Sequence, residues 1–326
     1  MYKVVSEIKP ERVEMRATFA AVMDELAATD PTVAYFDCDV INSTGMVEFC
    51  NKYPDRGIDC GIQEANMICV AAGASAVGMK PFTQTFGPFA ARRVIDQVYI
   101  SAAYAGLNIR MFGTDAGITA SYNGGTHMPI EDMGLMRTIP NVTLLEPTDS
   151  VMLADLMRQT KDMYGVFYFR TTRKVVDKIF EEGSTFEIGK AVLLREGTDI
   201  TIITSGFCTS DALAAADVLA KEGISAQVLN VFTWKPIDRE AITTAAKKTG
   251  AVITVENHNI INGLGSAVAE VLGETYPVPM RRIGNPDQFG EVGSIDYLKK
   301  VFGMEVQDIV DAAHQLNAER RKTRVL

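Results

Sequence analysis

The stretch NVTLLEPTDSVMLADLMRQTKDMYGVFYFR (residues 141–170) decides the fold class. Val142 to Leu145 is a short apolar, β-favouring run that follows Pro140-Asn141 and stops before Pro147. Ser150 to Lys161 carries its apolar residues at helical spacing, and Val166 to Phe169 is a second strand. Upstream the alternation continues: Val33 to Phe36 reads as strand, the Ala-rich Gln63 to Val77 as helix, and Leu107 to Phe112 as a strand ending at Gly113. Strands alternating with helices predict an α/β fold, a mostly parallel sheet covered by helices on both faces.

Downstream, Lys174 to Gly189 breaks the rhythm. It contains Glu181-Glu182-Gly183-Ser184 and no long apolar face, so it reads as a linker. The pattern then restarts with strands at Ile200 to Thr204, Ala226 to Val231 and Val252 to Glu256. Helices follow at Ser210 to Glu222, Asp238 to Lys248 and Gly263 to Leu272. The expected organisation is a first domain over 1–176, a linker over 177–189 and a second, smaller α/β domain over 190–326.

The totals narrow the function class. With 326 residues, 47% hydrophobic and 22% charged, the chain is an ordinary globular one, long enough for two cores. A net charge of -9 and no basic stripe argue against a nucleic-acid partner. The Arg320-Arg321-Lys322 cluster reads as a solvated tail. Cys38, Cys50, Cys60, Cys69 and Cys208 are odd in number, with no Cys-x-x-Cys pair, and the three histidines are scattered. That favours free thiols in a reducing compartment and gives no metal-ligating motif. Met1 to Arg12 lacks the apolar core of a signal peptide, and no apolar run approaches the roughly 20 residues of a membrane span. The expected location is the cytoplasm, with no membrane contact.

In open parallel sheets ligands gather at the carboxyl ends of strands. The loops after Phe36, Cys60, Thr83, Phe112 and Phe169 therefore carry the informative residues. Read in order they give Asp37-Cys38-Asp39-Val40, Gly61-Ile62-Gln63-Glu64-Ala65-Asn66-Met67, Thr85-Phe86-Gly87-Pro88-Phe89, Gly113-Thr114-Asp115-Ala116-Gly117 and Gly124-Gly125-Thr126-His127. Together they resemble the pyrimidine-binding domain of transketolases, with Glu131-Asp132-Met133 extending the match. Val255-Glu256-Asn257-His258 and Gly263-Leu264-Gly265-Ser266-Ala267-Val268 resemble the transketolase C-terminal domain. The Gly-Asp-Gly metal motif of a full transketolase does not occur, and the residues before Glu11 are too few for the domain that bears it.

The resemblance thus implies the C-terminal subunit of a split transketolase. Its partner would be an N-terminal subunit that binds the diphosphate of thiamine diphosphate and the Mg²⁺, in an α2β2 assembly. The reaction implied is transfer of a two-carbon ketol unit between small sugars or sugar phosphates.

The resemblance also assigns roles. Glu64 would donate a hydrogen bond to the aminopyrimidine nitrogen, favouring the imino tautomer that takes the thiazolium proton. That needs a raised pKa, for which Ile62, Met67 and Ile68 are suitable apolar neighbours. By itself Glu64 also reads as a first-turn acid favoured by the helix dipole. Phe86 and Phe89 would flank the ring, or be two core phenylalanines. Arg92 and Arg93 follow on the next helix, where the family often has an arginine near the border with the partner chain; Arg92 is taken for that place, or it pairs with Asp96 one helical turn on. Asp39 and Val40 would sit by the bent cofactor, or form a strand-end turn; Val40 is smaller than the usual residue there. His127 would meet a substrate oxygen, or cap a helix starting near Pro129.

Arg170, assisted by Ser43, would read a substrate phosphate; a surface salt bridge is the other reading, and Arg173 could substitute. Asp115 stands where a phosphate-binding histidine is common, and Asn123 where an aspartate contacts a substrate hydroxyl. A carboxylate at 115 would repel phosphate, so an unusual sugar, or a terminal anion bound elsewhere, is expected. The C-terminal domain is given an assembly role and no chemistry. Two other readings stay open: a 2-oxoacid dehydrogenase E1 β-type subunit, and a non-catalytic structural or regulatory subunit.

Overall fold

In the computed structural model, which describes residues 1–323 and the side chains of 1–319, the two strands of the 141–170 stretch lie parallel. Val142 faces Val166 and Leu145 faces Phe169. The helix between them starts where Asp149 accepts a hydrogen bond from the Met152 amide at 3.0 Å, a side-chain N-cap. The Arg320-Arg321-Lys322 cluster lies outside the residues whose side chains are described.

In chain order the first domain runs β1 (Val4–Pro10), α1 (Met15–Thr29), β2 (Val33–Asp37), α2 (Ile41–Thr44), α3 (Val47–Lys52), β3 (Gly57–Asp59), α4 (Glu64–Ala76), β4 (Lys80–Phe86), α5 (Gly87–Ala91) and α6 (Ile95–Gln97). A π-helical stretch, Val98–Tyr104, leads to β5 (Ile109–Thr114). Two 3₁₀ segments, Gly117–Asn123 and Gly125–His127, precede α7 (Asp132–Arg137), β6 (Val142–Leu145), α8 (Ser150–Asp162), β7 (Val166–Arg170) and β8 (Asp177–Phe180). The second domain runs β9 (Val192–Arg195), β10 (Ile200–Thr204), α9 (Thr209–Lys221), β11 (Ala226–Asn230), β12 (Thr233–Lys235), α10 (Arg239–Thr249), β13 (Val252–Asn259), α11 (Leu264–Glu274), β14 (Met280–Asn285), α12 (Ile295–Phe302) and α13 (Val306–Thr323).

Among the described residues the main sheets have the orders β12-β6-β7-β5-β4-β2-β3 and β14-β13-β10-β11-β9. Both are parallel except for the edge strands β12 and β9. Strands β2, β5 and β7 are buried on both faces, which is why they read as continuous apolar runs. On one face Phe112 stacks on Phe169 at 4.4 Å and meets Phe19 of α1 at 4.8 Å. On the other, Met67 and Ile68 of α4 join the cluster around Met111. The five cysteines are free thiols, and no described helix is long and apolar enough to cross a membrane.

The segment expected as a linker, 177–189, is folded onto the first domain. Segment 177–189 opens with β8, which pairs antiparallel with β1, and Asp149 accepts from the Ile179 and Phe180 amides at 2.9 and 2.8 Å. Phe180 and Phe186 are buried edge to face at 4.7 Å. The border is crossed again by β12, a second-domain strand that extends the first domain's sheet beside β6. Both pairings join segments distant in sequence, and neither strand is long enough to show a period.

The polar half of β13 is buried for a structural reason. The Glu256 carboxyl accepts from the Leu264 and Gly265 amides at 2.6 and 2.9 Å, capping α11 from inside the chain. Burial outweighs those two donors and lifts the Glu256 pKa from 4.5 to about 8. The folded chain then keeps a proton that the unfolded chain releases above about pH 4.5, so this carboxyl's contribution falls as pH rises from about 4.5 to about 8. Glu256→Gln has no proton to keep. Its stability gap to wild type at pH 5 should narrow by pH 8 in melting experiments; a constant gap contradicts the assignment.

Candidate functional site

The parallel order β7-β5-β4-β2-β3 brings the carboxyl ends of these strands to one rim. Phe86 at the end of β4 pairs with Thr114 at the end of β5, which places Phe86 beside Asp115. Glu64 opens α4 and is 2% exposed.

A continuous set of contacts links these residues. The Arg93 guanidinium lies 2.7 Å from the Glu64 carboxylate, and its carbon is 4.2 Å from the centre of the Phe89 ring. Phe86 and Phe89 meet edge to face at 6.1 Å, and each meets the His127 ring, at 5.4 and 5.2 Å. The Arg173 guanidinium stands 4.9 Å above Phe86 and pairs through Nε with Asp115 at 2.8 Å. His127 Nδ1 lies 2.9 Å from the Thr126 hydroxyl. Glu64, Phe89, Phe86, His127 and Asp115 are therefore one cluster, joined by two arginines. Both rings are half-buried, so one side of the cluster remains open in this chain.

Several expectations change. Burial pushes the Asp115 carboxyl above the usual carboxylate range while Arg173 works against it. Asp115 is thus half of an ion pair, not a bare charge that would repel phosphate. The apolar enclosure expected for Glu64 is incomplete: Met67 and Ile68 are buried, Ile62 is 70% exposed, and a cation sits on the carboxylate. Arg92 does not pair with Asp96. It reaches Glu131 at 3.0 Å and the Thr126 carbonyl at 3.4 Å, tying the end of α5 to the His127 segment.

Arg170 is the largest correction. It is fully buried, with Nε on Asp132 at 2.9 Å, Nη1 on Glu146 at 2.6 Å, and Nη2 on the Pro129 and Asn257 carbonyls, each at 2.7 Å. Burial opposes its charge, but the Asp132 and Glu146 carboxylates prevail and hold its pKa above the usual value. Enclosed in this way it locks the two domains together and is out of reach of a substrate anion. Ser43 is not among its partners; the Ser43 carbonyl accepts from Arg16 at 3.0 Å.

Asp39 is exposed in a left-handed turn (φ 60°), its amide donating to Asp59 at 2.9 Å. The buried acid of that turn is Asp37, which accepts from the Val40 amide at 2.6 Å and the Tyr35 hydroxyl at 2.6 Å. Asn123 is exposed at the end of its 3₁₀ segment.

Of the two neighbouring arginines, sequence reasoning chose Arg92, because sequence alone does not show that α5 stops at Ala91; it is Arg93 that meets Glu64. A planar, nitrogen-bearing group between a carboxyl and an aromatic face is the arrangement a flat heterocycle would take, so Glu64, Phe86 and Phe89 suit an aminopyrimidine. Among the described residues no three His, Cys, Asp or Glu side chains are grouped to hold a metal ion.

Residues 11–178 match the transketolase pyrimidine binding domain and residues 189–309 the transketolase C-terminal domain. The chain is 49% identical over 318 residues to the 6-deoxy-6-sulfo-D-fructose transketolase subunit SqwH of Clostridium sp. (strain MSTE9), covering 98% of each. It is 32% identical over 302 residues to an apulose-4-phosphate transketolase subunit of Phocaeicola vulgatus (strain ATCC 8482), covering 92% of this chain and 96% of that one. A split gene transketolase solved as an inactive beta4 tetramer superposes with a TM-score of 0.87 at 38% identity, over 94% of this chain and 99% of that one.

Proposed function

Because the chain belongs to the transketolase family, we propose that it is the half of a two-chain enzyme that holds the aminopyrimidine end of thiamine diphosphate and the sugar. The observation that carries this reading is the Arg93 guanidinium between Glu64 and Phe89, a stand-in for the ring. Thiamine diphosphate, when bound, supplies the carbon nucleophile that carries the two-carbon unit. Glu64 would hold a proton against the ring nitrogen. Phe86 and Phe89 would grip the ring by offset stacking, about 0.5–1.5 kcal/mol per pair. Thr126 engages His127 Nδ1, so Nε2 is the nitrogen that would meet a substrate oxygen. Val40, Asp39, Arg92 and the exposed Ile62 would be covered when a second chain closes the site.

That second chain would be the N-terminal subunit, bringing the diphosphate and Mg²⁺ ligands into an α2β2 assembly. The likeness to an inactive beta4 tetramer and to relatives named as subunits supports the need for it. The substrates would be ketoses with a terminal anion. Two relatives bear the names of a sulfonated and a phosphorylated sugar, and the Arg173–Asp115 pair beside Phe86 offers a guanidinium fork for such a group. Asn123, exposed on the same segment as His127, would contact a sugar hydroxyl.

Co-expression with an N-terminal transketolase subunit, followed by a donor screen with thiamine diphosphate and Mg²⁺, tests this. Ketol transfer from 6-deoxy-6-sulfo-D-fructose should exceed transfer from xylulose 5-phosphate; the reverse preference overturns the substrate reading. Arg173→Met should raise KM for the anionic donor by about 10–100-fold, the value of a charge-assisted hydrogen bond, with less effect on kcat.

A further inference from the structure

The segment that carries Asn123 and His127 leans on the second domain. Just after Asp115, the Asn257 side chain holds the turn at 116–118. Its Nδ2 donates to the Ala116 carbonyl at 2.7 Å and its Oδ1 accepts from the Ile118 amide at 2.8 Å. Asn257 is 1% exposed. Gly117, at φ +48°, permits the approach: a Cβ there would lie 2.1 Å from the Asn257 Oδ1.

Farther along, Ser121 takes φ 49° and ψ -117°, which L residues rarely adopt, and its hydroxyl donates to the Gly293 carbonyl at 2.8 Å. Gly290 is packed so closely that a Cβ on it would lie 2.9 Å from the Gly125 Cα and 2.6 Å from the Met128 Sδ. The Asn259 amide donates to the Ile130 carbonyl at 2.7 Å. His127 lies between these anchors. Glu64, Phe86 and Phe89 ride on α4 and on the β4–α5 corner, and their partners Arg93, Arg173 and His127 belong to the first domain.

We propose that the C-terminal domain positions the substrate half of the site, through Asn257 and the 290–293 loop, while the first domain alone builds the cofactor half. This rests on the function proposed above. Asn257 and Gly290 touch the backbone of the loop and Met128, not reacting atoms; they are positioning residues acting through His127 and Asp115.

The test uses Gly290→Ala and Ser121→Ala, each assembled with the N-terminal subunit. Gly290 lies on a half-exposed loop, so the added methyl presses on the His127 segment, against the Gly125 backbone and the buried Met128 side chain. In Gly290→Ala, amide hydrogen exchange over 119–130 should quicken by about tenfold, while exchange over 64–76 stays unchanged. KM for the ketose donor should rise by about tenfold, with affinity for thiamine diphosphate within about twofold of wild type. Ser121→Ala, which removes one hydrogen bond, should move the same readouts by a smaller factor. Unchanged exchange and KM would overturn the proposal, as would cofactor affinity falling in step with KM. A wild-type complex that transfers no ketol unit sinks the functional reading instead, and the contrast in exchange then still decides whether the second domain holds this loop.

Discussion

Glu64→Gln in the assembled enzyme lowers kcat by about 10²–10⁴-fold, the range expected for a positioned proton-transfer group, while the subunits still assemble. Glutamine matches the carboxyl in size but cannot hold and release a proton. Stability should change little. The Arg93 partner is 46% exposed, so the ion pair is screened and contributes about 0–1 kcal/mol. The contrast matters because Glu64 also satisfies the rule for acids in the first turn of a helix. Were that its whole purpose, the substitution would cost about 0.3–1 kcal/mol of stability and leave turnover intact. Steady-state kinetics beside a melting curve separate the two.

Arg170→Met has the opposite signature. Removing the guanidinium strands the Asp132 and Glu146 carboxylates, 0% and 2% exposed, with no cation beside them. Breaking a buried pair in this way costs about 3–5 kcal/mol. The Tyr168 hydroxyl, 2.8 Å from Asp132, and the Asn257 carbonyl lose a shared anchor at the same time. The urea midpoint should fall sharply, and any rise in KM for the donor should come only together with that loss of stability, through the loosened Asn257 and Pro129 carbonyls. A normal midpoint with a strongly raised KM for anionic donors would restore the substrate-binding reading of Arg170 that its place at a strand end suggests.

What could be read in the sequence follows the range of the forces involved. Ile200–Thr204 and Val142–Leu145 have the strand bounds their apolar runs indicate, because a strand buried on both faces writes itself as an unbroken run. Glu64, Phe86, Phe89 and His127 each sit in a short motif with fixed spacing, and the fold brings these motifs together. Arg170 was misread because what decides its role comes from Asp132, Glu146 and Asn257, on three other segments. Strand β8 and strand β12 stayed hidden for the same reason: each is made a strand by a distant partner. The choice between Arg92 and Arg93 turned on where α5 ends, and helix ends are the least legible feature of a local pattern. Gly263 lies against Glu256, a carboxyl from within the chain that also accepts from the Leu264 and Gly265 amides, a contact no local pattern reveals.

Calorimetric titration of thiamine diphosphate with Mg²⁺ into the assembled subunits probes the cofactor half most directly, comparing wild type with a chain in which Phe86 and Phe89 are both alanine. Saturable binding by the wild-type pair of subunits, weakened at least about tenfold by the double substitution, is the predicted result. Equal affinity for the two would mean that the ring does not lie against Phe86 and Phe89, and that the cluster around Glu64 serves some other purpose.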